Sequence, residues 1–204
     1  IAAGVQKRSS AVSVLLCENM RGAAQVARDE LFRYLPAGFP LEKRVGLVET
    51  SIGKMVPLMP REVRENDPLE VWGEAYNKII ADADGFIGPR PQIEGLELKH
   101  HFEAYVDRKL FVHNLGHSTA AYFGFLYGKT YIWECMKDRR VAVEAENAMF
   151  ESAEALKRRY DTAFSGNAEK TELDAYIQDL LRRFENKALG DTVFRVGRDL
   201  PRKL

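Results

Sequence analysis

Cysteine is scarce in this chain: Cys17 and Cys135 are the only two, far apart and in no CxxC pair. That argues against a disulfide scaffold or a cysteine-built metal site, and for a reducing compartment, with the cytoplasm as the default. Long apolar runs are missing too. Gly, Lys, His or Arg interrupts each one before the about 20 residues of a membrane-spanning helix are reached, and no signal-peptide pattern precedes them. Nor is there an excess of charge, since thirty Lys and Arg balance thirty Asp and Glu. Neither nucleic acid nor an anionic membrane is therefore expected as the main partner. A small anionic substrate stays compatible, because local basic residues decide that. Internal repeats, low-complexity segments and the HExxH pattern of zinc hydrolases are absent as well.

What is present suits a folded enzyme. With 46% hydrophobic residues over 204 positions, the chain is long enough for one domain, or for one domain plus part of another. It opens on Ile1 without an initiator Met and stops just after Arg202-Lys203, so both ends are expected to be cuts in a longer protein.

Residues 11–16, Ala-Val-Ser-Val-Leu-Leu, have the β-branched apolar pattern of a buried strand. From residue 20 to 35 the apolar spacing becomes helical, stopped by Pro36-Ala-Gly. Asn19 is thereby placed at a strand-to-helix junction, where polar groups face a cleft. Residues 45–51 and 69–75 read as strands and 78–81 as another, in a Pro-rich region. Beyond Leu98 the pattern predicts helices over 99–126, over 132–164 with a break near 137–139, and over 172–186 with Thr171 as N-cap. The expected fold class is mainly α with a small β-sheet, α+β.

The most informative segment is Arg108-Lys109-Leu-Phe-Val-His113-Asn114-Leu-Gly116-His117. At about 100° per residue, Asn114 lies about 140°, His117 about 80° and His113 about 40° round from Lys109. An amine, an amide and imidazoles thus share one broad face, in surroundings too apolar for a solvent-washed helix. Desolvation there should lower the lysine pKa and make it a usable base near neutral pH. Singly, such residues are usually just exposed; their joint occurrence is the signal. His113 and His117 are also four apart, as zinc ligands can be, but position 114 is Asn and no third ligand is evident. Arg195, Arg198, Arg202 and Lys203, read alone, form an exposed basic run.

Lys109-x4-Asn114-x2-His117 resembles the signature of the polyol-specific long-chain dehydrogenases. Cys17-Glu-Asn-Met-Arg-Gly22, Arg183-Phe-Glu-Asn186 and Gly190-Asp-Thr-Val-Phe-Arg195-Val-Gly-Arg198 are similar to that family as well, so the likeness covers almost the whole chain. The resemblance implies metal-independent hydride transfer between a polyol carbon and NAD. Lys109 would be the general base, Asn114 and Asn19 donors to the reacting oxygen, and His117 a further substrate contact. Arg195 and Lys203 would hold the far end of the substrate, a polyol or sugar phosphate, through charge-assisted hydrogen bonds. An unphosphorylated polyol or a hexuronate is the alternative. A non-catalytic interaction or metal-binding module on the same scaffold is another, and it predicts diverging side chains or a metal on His113 and His117.

The resemblance further implies a helical domain like the C-terminal domain of 6-phosphogluconate dehydrogenase over residues 18–204. Residues 1–17 would be the end of a Rossmann domain whose remainder, in the same polypeptide, is the expected partner. Two departures stand out. Many members have Val-Asp-Arg where this chain has Ile52-Gly53-Lys54, and no GxGxxG turn occurs. No residue of this chain is therefore assigned to the cofactor, and these 204 residues alone are expected to be inactive.

Overall fold

The computed structural model describes residues 1–164 and 172–199. The chain divides into two compact units, Ile1–Gly53 with Asn77–Val106, and Lys54–Tyr76 with Asp107–Leu204.

The first unit is built on a four-stranded sheet, β1 (Val12–Leu16), β2 (Val45–Ile52), β3 (Ile79–Asp82) and β4 (Leu96–Lys99), in that spatial order. β1 pairs with β2 in parallel, β2 with β3 antiparallel and β3 with β4 in parallel. A parallel pair needs a crossover. Three helices accompany the first two strands: α1 (Ala2–Lys7) precedes β1, and α2 (Ala23–Tyr34) with the single turn α3 (Leu41–Arg44) fills the crossover to β2. Val5, Leu31, Leu35, Leu41, Val45 and Leu47 form the buried core between these helices and the sheet.

β1 differs from its expectation as a buried strand. As the edge of the sheet it keeps all five residues only half-buried, beside an open groove of about 550 Å³ lined by Val14, Leu16, Leu31 and Leu47. Between β3 and β4 the chain makes only a short 3-10 turn, Ala83–Gly85. Gly46 lies directly under the backbone of Gly85 and Ile87, where any Cβ would collide, so this loop packs flat on β2.

The second unit is helical. Its first segment contains α4 (Arg61–Asn66), and the rest runs from the end of α5 (Phe102–Arg108) through α6 (Leu115–Leu126), α7 (Ile132–Lys137), α8 (Arg139–Arg159), α9 (Asp161–Phe164), α10 (Glu172–Phe184) and α11 (Val193–Gly197). Capping chemistry explains several of these boundaries. Glu134 accepts the Thr130 and Tyr131 N–H groups at the start of α7, and Asp138 accepts from Arg140 at the start of α8, satisfying donors that a helix N-terminus leaves free. Asp138 is also the break expected near 137–139.

α10 buries Leu173, Ile177, Leu180 and Phe184 on one stripe as its periodicity predicts, whereas Thr171, its expected N-cap, lies outside the described residues. α6 packs closely on its neighbours at two glycines. A side chain at Gly116 would strike Met149 of α8, and one at Gly124 would strike Cys135 of α7.

Three expectations need correction. Residues 69–75 are irregular rather than a strand, because the Glu74 side chain and backbone are used to hold Met55 instead of a strand partner. The helix expected from residue 99 begins only at Phe102; Leu96–Lys99 is a strand that β3 recruits, a pairing that a four-residue pattern cannot reveal. The helix expected over 99–126 is also not regular. A π-helical turn spans Lys109–Asn114 between α5 and α6.

Candidate active site

The π turn falls on the polar segment that the sequence singled out. Its hydrogen bonds step from residue i to i+5, a rare geometry found mostly at functional sites. The wider turn rotates each residue by less than an α-helix does, so five residues come close to one full revolution. Asn114 is therefore carried round towards the Lys109 side instead of standing about 140° away as in a regular α-helix.

Lys109 is half-buried, and burial lowers its pKa from the ordinary 10.5. His113 is buried, and its pKa is pushed well below 6.5, first by burial and then by the positive charges of His117, Arg183 and Lys109. It is thus a neutral imidazole at physiological pH, and its Nδ1 has no hydrogen-bond partner. Asn114 is exposed. The surroundings are less apolar than the sequence suggests, since Leu110 and Phe111 of the same turn are solvent-exposed. Gly116 does not offer close approach to a ligand; it faces Met149 in the core.

His117 stands one α-helical step beyond Asn114, and its ring stacks on Phe184 at 4.8 Å with 12° between planes. Its Nε2 lies 3.6 Å from Oδ2 of Asp191. Asp191 is 5% exposed and also forms an ion pair with Arg195, one turn further along the chain. Sequence reasoning named His117 and Arg195 but missed the carboxylate between them. The i,i+4 spacing of Asp191 and Arg195 was the available signal.

The backbone around Asp191 is fixed independently. Ile132 N–H donates to the Asp191 carbonyl and Val193 N–H to that of Thr130, each at 2.9 Å, around a bridge between Tyr131 and Thr192. Met55, His117, Phe184, Asn186 and Asp191 line a tight crevice with no room for a water molecule.

Met55 is held there by Glu74, which accepts its N–H and is clasped in turn by Arg183. Lys54, at the position of the Ile52-Gly53-Lys54 departure, donates to the Tyr76 carbonyl at 2.9 Å. Arg108, in the motif beside Lys109, is buried against the Tyr176 ring and donates to Glu172 at 2.7 Å.

Lys203 lies outside the described residues. Asn19 is exposed in the loop at residues 17–22 that joins β1 to α2 in the first unit. Among the described residues no three His, Cys, Asp or Glu side chains are grouped to hold a metal ion, and His113 and His117 have ring centroids 6.3 Å apart. No described helix is long and apolar enough to cross a membrane.

A dinucleotide pyrophosphate needs free N–H groups at a helix N-terminus behind a parallel strand. β1 and α2 form such a junction, but the Ala24 N–H at the start of α2 is taken by the Glu49 carboxylate at 3.1 Å. That negative charge and the lone Gly22 before the helix do not fit a pyrophosphate.

Residues 1–95 match the mannitol dehydrogenase Rossmann domain, and residues 101–204 match the mannitol dehydrogenase C-terminal domain. The chain belongs to the mannitol dehydrogenase family. The Rossmann match reaches residue 95, where the sequence reading placed only residues 1–17 in that domain. Among solved structures, a D-sorbitol dehydrogenase in substrate-free form is similar with a TM-score of 0.79 and 21% identity over 99% of this chain and 44% of the other. Pseudomonas fluorescens mannitol 2-dehydrogenase, in a ternary complex with NAD and D-mannitol, is similar with a TM-score of 0.59 and 20% identity over 96% and 42%. At these identities the likeness concerns the fold, and the chain spans less than half the length of either structure.

Proposed function

We propose that the whole protein is an NAD-dependent oxidoreductase interconverting a polyol and its ketose, with Lys109 as the acid–base group. One observation carries this reading: a half-buried lysine with a lowered pKa opens a π turn that ends in Asn114, in a chain of the mannitol dehydrogenase family. In alcohol oxidation the unprotonated Lys109 amine takes the hydroxyl proton, and in ketone reduction it returns that proton to the oxygen. Asn114 donates from its amide to the oxygen as negative charge develops there, a role Asn19 also suits chemically. His117 and Arg195 hydrogen-bond further hydroxyls, as does Lys203. NAD supplies the hydride acceptor, and no residue of this chain is assigned to it. In this reading the helical unit follows the C-terminal domain of 6-phosphogluconate dehydrogenase.

For the substrate, the resemblance favours mannitol 1-phosphate and fructose 6-phosphate, the reaction of mannitol-1-phosphate 5-dehydrogenase. The Arg195–Asp191 ion pair favours the second reading, an unphosphorylated hexitol such as the D-mannitol bound by the Pseudomonas relative, because the guanidinium charge is already balanced. Assays with fructose 6-phosphate, fructose and tagaturonate separate these, and a preference for fructose over its phosphate sinks the phosphate reading. Lys109→Ala should lower turnover near neutral pH by about 10²–10⁴-fold, the usual worth of a positioned base. Near-normal turnover in that variant refutes the mechanism.

A further inference from the structure

We propose that Asp191 is a positioning residue that ties His117 and Arg195 into one charge-balanced unit. The charge of the substrate end accepted there is then set by Asp191 and Arg195 jointly. This rests on the functional reading above and deepens it by giving Asp191 a role in orienting His117 as well as in pairing with Arg195.

Three observations converge. Asp191 is a buried carboxylate, and a charge at 5% exposure persists only when paired. Its two oxygens face different cations, Oδ2 standing 3.6 Å from His117 Nε2, an electrostatic contact longer than a hydrogen bond, and Oδ1 forming an ion pair with the Arg195 guanidinium without an aligned hydrogen bond. Its main chain is held by the two 2.9 Å hydrogen bonds around the Tyr131–Thr192 bridge, so the position of its Cα does not depend on His117 or Arg195.

The consequence for His117 is orientation. Phe184 stacked on one face limits how the ring can turn, and the negative charge 3.6 Å from Nε2 favours the tautomer protonated on that nitrogen. The consequence for Arg195 is electrical. An arginine paired with a buried carboxylate is a weaker trap for a dianionic phosphate, which would approach that carboxylate as well, yet its remaining N–H groups still donate to a neutral hydroxyl. Arg198, whose charge also acts on Arg195, is exposed and screened by solvent.

The test compares kcat/KM for D-fructose and D-fructose 6-phosphate in the whole protein and two variants. Asp191→Asn leaves the Arg195 charge unbalanced, so the phosphate-to-fructose ratio should rise about tenfold, a shift within the range of pairwise coupling energies. Its kcat on fructose should fall as His117 loses its anchor. Arg195→Gln leaves the carboxylate unbalanced, so the same ratio should fall. A general loss of structure lowers both substrates together and moves neither ratio; ratios within twofold of wild type in both variants overturn the proposal.

If the wild-type protein reduces neither ketose, the functional reading is what fails. The positioning role is then decided by ¹⁵N NMR of the His117 ring, whose tautomer ratio should change in Asp191→Asn. An unchanged ratio refutes it.

Discussion

The guanidinium of Arg183 grips both carboxylate oxygens of Glu74, 109 residues earlier in the chain, while lying 3.9 Å over the ring of Tyr76. Both side chains are almost fully buried, and Glu74 also accepts the Met55 N–H at 2.6 Å. This one pair fastens the loop of residues 54–76 to α10 and brings Met55 to the tight crevice beside His117.

Removing one partner strands a buried charge. Glu74→Gln or Arg183→Met alone should cost about 3–5 kcal/mol, and the double variant less than the sum of the two. Urea unfolding of the four proteins measures this; additive losses would show that the two residues act independently.

Lys109 should trade stability for chemistry. Its folded pKa lies below the ordinary 10.5. Between those two values the unfolded chain holds a proton that the folded chain has released, so this group makes stability rise with pH through that window. Lys109→Met removes the dependence and should stabilise the protein at neutral pH by about 0.5–2 kcal/mol while abolishing alcohol oxidation. A variant less stable than wild type at pH 7 would contradict the burial argument.

Acid sensitivity should trace to His113. Its folded pKa is depressed well below 6.5, so as pH falls below 6.5 the unfolded chain takes up a proton first. Stability is then lost by up to about 1.4 kcal/mol per pH unit. The expected result is a drop between pH 7 and pH 5 in denaturant unfolding that His113→Asn reduces. An identical drop in the variant would assign the acid sensitivity to other groups.

These 204 residues should bind NAD poorly, because the Glu49 carboxylate occupies the Ala24 N–H at the start of α2. Calorimetric titration is expected to show no saturation at about 1 mM cofactor, equivalent to less than about 4 kcal/mol of binding. Micromolar affinity would show that these residues do hold a pyrophosphate site.

Much of the helical unit was legible from spacing alone. The stripe Leu173, Ile177, Leu180 and Phe184 is a period that any burying helix must follow, and Asp138 marks the α7–α8 break by its cap chemistry. Lys109, Asn114 and His117 were visible as residue types at a spacing. Their angular relation was not, because regular α-helical spacing sets them about 100° apart per residue and the chain forms a π turn there instead.

The strand Leu96–Lys99 and the irregular stretch 69–75 went the other way for the same reason. A short apolar run becomes a strand only when a neighbour offers its edge, as β3 does, and Glu74 is drawn off by an arginine too distant for any local pattern to register.

By itself, then, the sequence determined the composition of the site: a lysine, an amide, imidazoles and arginines on helical segments, with period and capping deciding where those segments run. Only the tertiary structure decided that His113 is a buried neutral ring, that Asp191 stands between His117 and Arg195, and that Met55 lines the same crevice as His117 and Asp191. Each of these depends on burial and on charges brought together from distant parts of the chain, and neither exists until the chain has folded.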